Sequence, residues 1–262
     1  MNRDEIKYIA MFTMLLNHVA NIFLEPGTLL FEVMVDIGYF TAITMCYFLV
    51  EGYRYTHSKE KYGKRLLWFA MISEIPFCLA FTEEGIISFV SMNMIFTLFL
   101  CFLILYVREK FPVGTRQTLG IWGLVLVSAY SDWAILVPIF TWWFAECRDG
   151  MMPSGAIEGK ISGSMPEKEQ RKKLWRVFGK AMLLFGLLSF VENIQTDAPF
   201  ISLIRALGAV LGIYLSGICI IYLYNGRRAE KGRNFSKWFF YVFYPAHLLV
   251  LGILRVKRLN LG

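Results

Sequence analysis

The chain has 262 residues, 56% hydrophobic and 16% aromatic, a composition that argues against a water-facing globule of this size. Its net charge of +7 is spread between apolar runs, so the bases read as topology signals and not as a nucleic-acid footprint. Five cysteines without paired spacing indicate neither a disulfide framework nor a zinc site, and no metal is expected.

The expected fold is all-α: a single transmembrane domain over 1–262, a polytopic helical bundle with membrane lipid as its solvent. A spanning helix needs about 20 apolar residues. Runs near that length fall roughly at 8–24, 33–52, 64–82, 90–107, 118–130, 133–146, 176–192, 200–224 and 237–254, giving about nine spanning helices. The first reads as a retained helix: Met1 to Lys7 mixes acids and bases, and the run ends at Glu25-Pro26-Gly27 without a small-x-small cleavage pattern. The fifth and sixth are short and meet at Tyr130-Ser131-Asp132, as a tight hairpin or as one broken element. The stretch 147–175 mixes Gly, Ser, Pro and Met with Arg171-Lys172-Lys173 and is expected to be a mobile cytoplasmic loop.

Charges separate between alternate gaps. One set holds Arg54, Lys59, Lys61, Lys64 and Arg65, then Arg108, Lys110 and Arg116, then Arg148 to Arg176, then Arg227 to Lys237. The opposite gaps hold acids, among them Glu25, Glu32, Glu83, Asp132, Glu192 and Asp197, and no Lys or Arg. By the positive-inside rule the N-terminus is cytoplasmic. Arg255, Lys257 and Arg258 depart from the pattern if the helix count is odd.

A charge at bilayer depth costs about 2.5–3.5 kcal/mol on insertion scales, so polar groups kept in the spans are weighed one by one. Lys7 and His18 lie eleven residues apart, about three helical turns, and share one helix face. Imidazole suits proton transfer near neutrality, and a lysine on the same stripe suits an anionic cosubstrate, so this face fits an active-site channel from the basic side; a packing histidine is the competing reading. Asn17 diverges from His18 by about 100° and suits an interhelical hydrogen bond better than orientation of the ring. The segment Glu51 to Arg65 gathers bases and aromatics at the basic end, where Arg54, Lys61 and Arg65 could clamp phosphates or simply enforce topology. Glu74, before Pro76, is read as a partner for His18 or Arg205, as a protonated carboxyl, or as a buried tie, and the proline is expected to kink its helix. Asn93, Arg205 and His247 complete the inward polar set.

These strings resemble the TraX family, named for an enzyme that acetylates the N-terminus of a conjugative pilin subunit. The likeness is carried by the lysine-to-histidine first helix ending Asn17-His18, by Phe48-Leu49-Val50-Glu51-Gly52-Tyr53-Arg54, by Lys61-Tyr62-Gly63-Lys64-Arg65-Leu66, by Ser73-Glu74-Ile75-Pro76-Phe77, by Asn93-Met94-Ile95-Phe96-Thr97 and by Phe243-Tyr244-Pro245-Ala246-His247. It is dense over the first hundred residues, thins from about Lys110 to Phe235, and returns at the last helix. The lysine-to-histidine spacing is also similar to that of wider membrane acyltransferases. Two positions depart from the family pattern, Asn17 for an aspartate and Glu74 for a glutamine.

The resemblance implies a bacterial inner-membrane acetyltransferase that draws acetyl-CoA from the cytoplasm. Lys7, Arg54, Lys61 and Arg65 would meet its phosphates, His18 would be the general base with Glu74 beside it, and Asn17, Glu51, Asn93, Arg205 and His247 would be substrate-facing or structural. The acceptor would be a peptide N-terminus or a small molecule. Two other classes stay open on the residues themselves: a transporter or channel lined by His18, Glu74 and Arg205, and a non-catalytic membrane scaffold.

Overall fold

In a computed structural model of the chain, which describes residues 1–83, 85–151 and 165–260, helix starts follow from capping chemistry. Asn2 accepts from the backbone N–H groups of Asp4 and Glu5 while Glu5 reaches back to the Asn2 N–H, a capping box that opens α1 (Arg3–Phe23). Thr28, Ser58 and Asn93 cap α2 (Leu29–Gly38), α4 (Lys59–Phe81) and α5 (Met94–Lys110) in the same way. The other helices are α3 (Phe40–Tyr55), α6 (Thr115–Val127), α7 (Leu136–Asp149), α8 (Glu167–Asn193), α9 (Pro199–Ile218) and α10 (Arg233–Leu259). α4 runs on through Pro76 and α10 through Pro245.

The fold is an all-α transmembrane bundle. α2 and α3 join at Tyr39 as one span, Leu29–Tyr55, and α9 continues through a π turn to Leu223, so the described helices form nine rods. Five of these, those starting at Arg3, Leu29, Glu167, Pro199 and Asn234, are long and apolar enough to cross a membrane. The expected count of about nine is therefore high. α6 and α7, at 13 and 14 residues, rise only about 20 Å at 1.5 Å per residue, and the first two turns of α4 are crowded with charge.

α3 is the core rod, apolar around most of its circumference and buried from Phe40 to Val50 apart from Met45. It packs on α1, α5, α7 and α9. Gly208 and Gly212 of α9 face the α2–α3 joint, where a Cβ on Gly212 would come within 2.3 Å of the Asp36 carbonyl oxygen, so this crossing needs glycine. α6 and α7 form a splayed hairpin against α5 rather than one broken element. The loops at this end pair through a bridge between Met92 and Ser131, and Thr97 Oγ1 donates to the Asp132 carbonyl at 2.6 Å.

The expected loop 147–175 is shorter at both edges. α7 reaches Asp149 and α8 starts at Glu167, so Arg171-Lys172-Lys173 is helical; Glu167 and Glu169 favour the positive end of the helix dipole, and Glu167 pairs with Arg171 one turn on. Residues 152–164, which carry Lys160 and the middle of that loop, and Glu84 lie outside the described residues.

Met1 and Arg258 lie at opposite ends of the bundle. Met1 bonds to the Leu223 carbonyl, whereas Arg258 donates to the Phe23 carbonyl at 3.1 Å. Arg255 donates to the carbonyls of Leu79, Thr82, Gly85 and Ile86 at 3.0, 2.6, 3.3 and 2.7 Å. Two of the bases that break the charge pattern are thus structural clamps on carbonyls left open at the C-terminal ends of α1 and α4 and in the loop after α4. Arg255→Met is expected to cost roughly 3 kcal/mol through these charge-assisted bonds. The loss should be read as an earlier thermal transition in detergent and as new proteolytic cleavage within 85–92; a loop that stays protected would show the clamp to be dispensable.

Candidate functional site

Three helices converge at the end that carries Met1, and two of them, α1 and α4, place a pair of cations one turn apart on the inner face. α1 contributes Arg3 and Lys7, α4 contributes Lys61 and Arg65, and α10 contributes Lys237, while Arg228 comes from the segment before α10. They line a cavity of about 670 Å³ in which, among the described residues, these six Lys and Arg side chains face a single carboxylate, Asp4. The inner part is apolar and thioether-rich, walled by Met11, Met14, Met45, Phe48, Met94 and Tyr244.

These cations have few protein partners. None of the six is in a salt bridge among the described residues. Lys7 Nζ lies 5.7 Å from the Phe48 ring centre and 5.1 Å from that of Phe240, and the Arg65 guanidinium lies over Tyr62 and Tyr241 at 5.7 and 6.0 Å. Arg3 Nε and Arg65 Nε are buried without a hydrogen-bond acceptor. Burial, and then the neighbouring Arg3 guanidinium, push the Arg228 pKa below its ordinary value. Crowded like charges with buried donors left over fit a polyanionic head, and the apolar interior fits an attached flexible arm.

The Lys7 stripe continues through Met11 and Met14 to His18, but the ring stands one side-chain layer behind the cavity wall. Tyr244, which is in that wall, packs edge-on against it with ring centres 6.2 Å apart, and Phe81 closes a second side at 5.2 Å. His18 Nδ1 lies 2.8 Å from His247 Nε2, and His247 Nδ1 lies 2.8 Å from the Phe243 carbonyl oxygen.

The remaining polar residues sit in separate networks. Glu74 receives the Asn93 side-chain amide at 2.6 Å and the Asn93 backbone N–H at 3.2 Å, and Asn93 also donates to the Ala70 carbonyl at 2.7 Å. Glu74, itself half-buried, is thus the polar tie that joins α4 to the α5 cap, with neither His18 nor Arg205 as its partner. Arg205 pairs with Asp197 at 2.7 Å and Glu32 at 3.5 Å at the acidic end. His18, Glu74 and Arg205 are therefore not brought together along one path. Asn17 donates to the Val35 carbonyl at 3.3 Å and packs on Gly38, the interhelical role its divergence from His18 suggested. Glu51 is buried between Arg148 at 3.0 Å and the Tyr224 hydroxyl at 2.8 Å, and Arg148 also donates to the Tyr47 hydroxyl. Arg54, unlike Lys61 and Arg65, is not in the cavity wall.

Arg3, Arg228, Lys237 and Tyr244 were missed as wall residues. Arg3 and Lys7 at i,i+4, like Lys237 and Tyr241, carry a helical spacing that could have marked the first and third. Arg228 has no local signal, because it arrives through the packing of α1 against the segment before α10.

A family model described as TraX protein matches residues 2–157, which contain α1 to α7 and most of the cavity wall. The chain belongs to the TraX family. Within this TraX family chain, Lys7, His18, Lys61, Arg65, Glu74 and Asn93 lie inside the matched region, whereas Arg228, Lys237, Tyr244 and His247 lie beyond it. A relative described as a probable fimbrial assembly protein FimC, serogroup H1, from Dichelobacter nodosus is 29% identical over 257 residues, covering 94% of this chain and 93% of its own. No solved structure matches significantly.

Proposed function

We propose that this protein is an acetyl-CoA-dependent acetyltransferase of the bacterial inner membrane, with the N-terminus and the basic cavity mouth on the cytoplasmic side. The observation that carries the reading is the cavity itself: six Lys and Arg side chains against a single carboxylate at the mouth, two of them with buried unpaired donors, above an apolar interior. Lys7, Lys61 and Arg65, joined by Arg3, Arg228 and Lys237, hold the phosphates of the cosubstrate. The methionine and aromatic walls accept its pantetheine arm. The positive-inside rule supports the sidedness, and the relative's description as a fimbrial assembly protein favours a peptide amine as acceptor.

The thioester supplies an activated acetyl carbon. As the acceptor nitrogen bonds to that carbon, the C–S bond breaks, and His18 takes the amine proton and returns it to the departing thiolate. Because Tyr244, itself part of the wall, stands against this ring, productive contact requires it to turn aside.

Purified protein in detergent, given radiolabelled acetyl-CoA and pilin-type peptides, should transfer label to the peptide N-terminus. Lys7→Met and Arg65→Met are each expected to raise the KM for acetyl-CoA by about tenfold or more through a lost charge-assisted contact, with a smaller effect on kcat. Unchanged KM in both variants would move the cosubstrate out of this cavity.

A further inference from the structure

The two buried histidines, one from α1 and one from α10, obey a simple donor count. The Phe243 carbonyl oxygen only accepts, so the proton in its 2.8 Å contact with His247 sits on Nδ1 of that ring. Hydrogen bonds and ring contacts to the pair come from each other, Phe243, Phe81 and Tyr244, with no carboxylate among the described residues. A cation here would be a charge without a counter-ion at bilayer depth, so both rings are neutral.

A neutral His247 protonated at Nδ1 has only a lone pair at Nε2. The contact from His18 Nδ1 to that atom, 2.8 Å, therefore requires the proton on His18 Nδ1. The two ring planes lie within 8° of parallel with centres 5.1 Å apart, as suits a bond directed along an in-plane lone pair. Phe243 holds the partner ring twice, through its carbonyl and by stacking at 4.8 Å. His18 Nε2, on the far side of its ring from His247, makes no hydrogen bond among the described residues and is left as the bare nitrogen.

We infer that His247 is a positioning residue that locks His18 in the Nδ1–H tautomer and so presents His18 Nε2 as the proton acceptor. Only the last step rests on the acetyltransferase reading; the tautomer stands apart from it. In that step the acceptor amine loses its proton to His18 Nε2 as the C–N bond forms and the C–S bond breaks. The resulting imidazolium is stabilised by its Nδ1–H donating to the His247 lone pair, and the proton then passes from Nε2 to the thiolate, which restores the neutral pair.

Nitrogen-15 spectra of histidine-labelled protein, assigned with His57→Asn and the variants below, read the tautomers directly. Both His18 and His247 should show a protonated Nδ1 and a bare Nε2, although free histidine side chains favour the proton on Nε2. His247→Gln offers a carbonyl oxygen near the lost acceptor and is expected to keep the His18 tautomer and to transfer acetyl groups within about tenfold of the parent. His247→Leu should release His18 to the Nε2–H form and lower kcat by about 10²-fold or more, with KM for acetyl-CoA little changed. A parent protein with the His18 proton on Nε2 overturns the inference whatever the activity. So does an equal loss in the Gln and Leu variants while His18 keeps its proton on Nδ1, since His247 would then serve packing. A parent that transfers no acetyl group but shows the expected tautomers refutes the acetyltransferase reading and supports the lock.

Discussion

Alanine in place of His18 is expected to lower acetyl transfer by about 10³-fold, within the range of 10²–10⁴ that a general base contributes, while coenzyme A binding stays near that of the parent. The separation follows from position. His18 is not in the cavity wall, so its removal leaves all six cations at the mouth in place, and the effect should fall on kcat rather than on KM. Removing the ring also strips His247 Nε2 of its donor, which costs about 1–3 kcal/mol of stability, so the variant must be shown to be monodisperse in detergent before its rate is read. Turnover within about tenfold of the parent would take His18 out of the chemistry and reduce the pair to packing.

The largest stability effect is expected at Glu51. Its carboxylate is buried and takes hydrogen bonds from Arg148 at 3.0 Å and Tyr224 at 2.8 Å, tying α3 to α7 and to the segment after α9. Glu51→Ala leaves the Arg148 guanidinium mostly buried without its counter-ion and the Tyr224 hydroxyl without its acceptor, a loss of about 3–5 kcal/mol for a broken buried pair. In a chain of this size that corresponds to a fall of roughly 10 °C in the thermal transition. The double variant Glu51→Leu with Arg148→Met removes both charges and should recover most of the loss, because an apolar pair of similar volume avoids the desolvation cost. If the single variant melts with the parent, the pair does not hold these helices. Since neither residue lines the cavity, the KM for acetyl-CoA of the surviving Glu51→Ala protein should move little.

Several features were legible because they obey local rules. Nine apolar runs became nine helical rods, with N-terminal edges set by caps such as Asn2, Ser58 and Asn93, each one residue ahead of its helix. Glu74 marks where local rules stop. Its cost at bilayer depth marked it correctly as a residue that needs a partner, but the partner, Asn93, lies 19 residues on and across a loop, where spacing on one helix says nothing. Arg255 looked like an exception to the sidedness of charge; it is a clamp on the turn after α4, and only the approach of α10 to α4 reveals the carbonyls it serves.

From sequence alone follow the membrane as solvent, the helical rods, the alternation of basic and acidic ends and the stripe from Lys7 to His18, because each depends on hydropathy and on the 3.6-residue period of one segment. The tertiary structure decided the rest: which bases share a cavity, that His18 stands behind Tyr244 rather than in the wall, and that His247 is its hydrogen-bond partner. Those outcomes depend on how α1, α4 and α10 are rotated about their axes when they pack. That rotation is set by side-chain volumes at many crossings together, and no single segment encodes it.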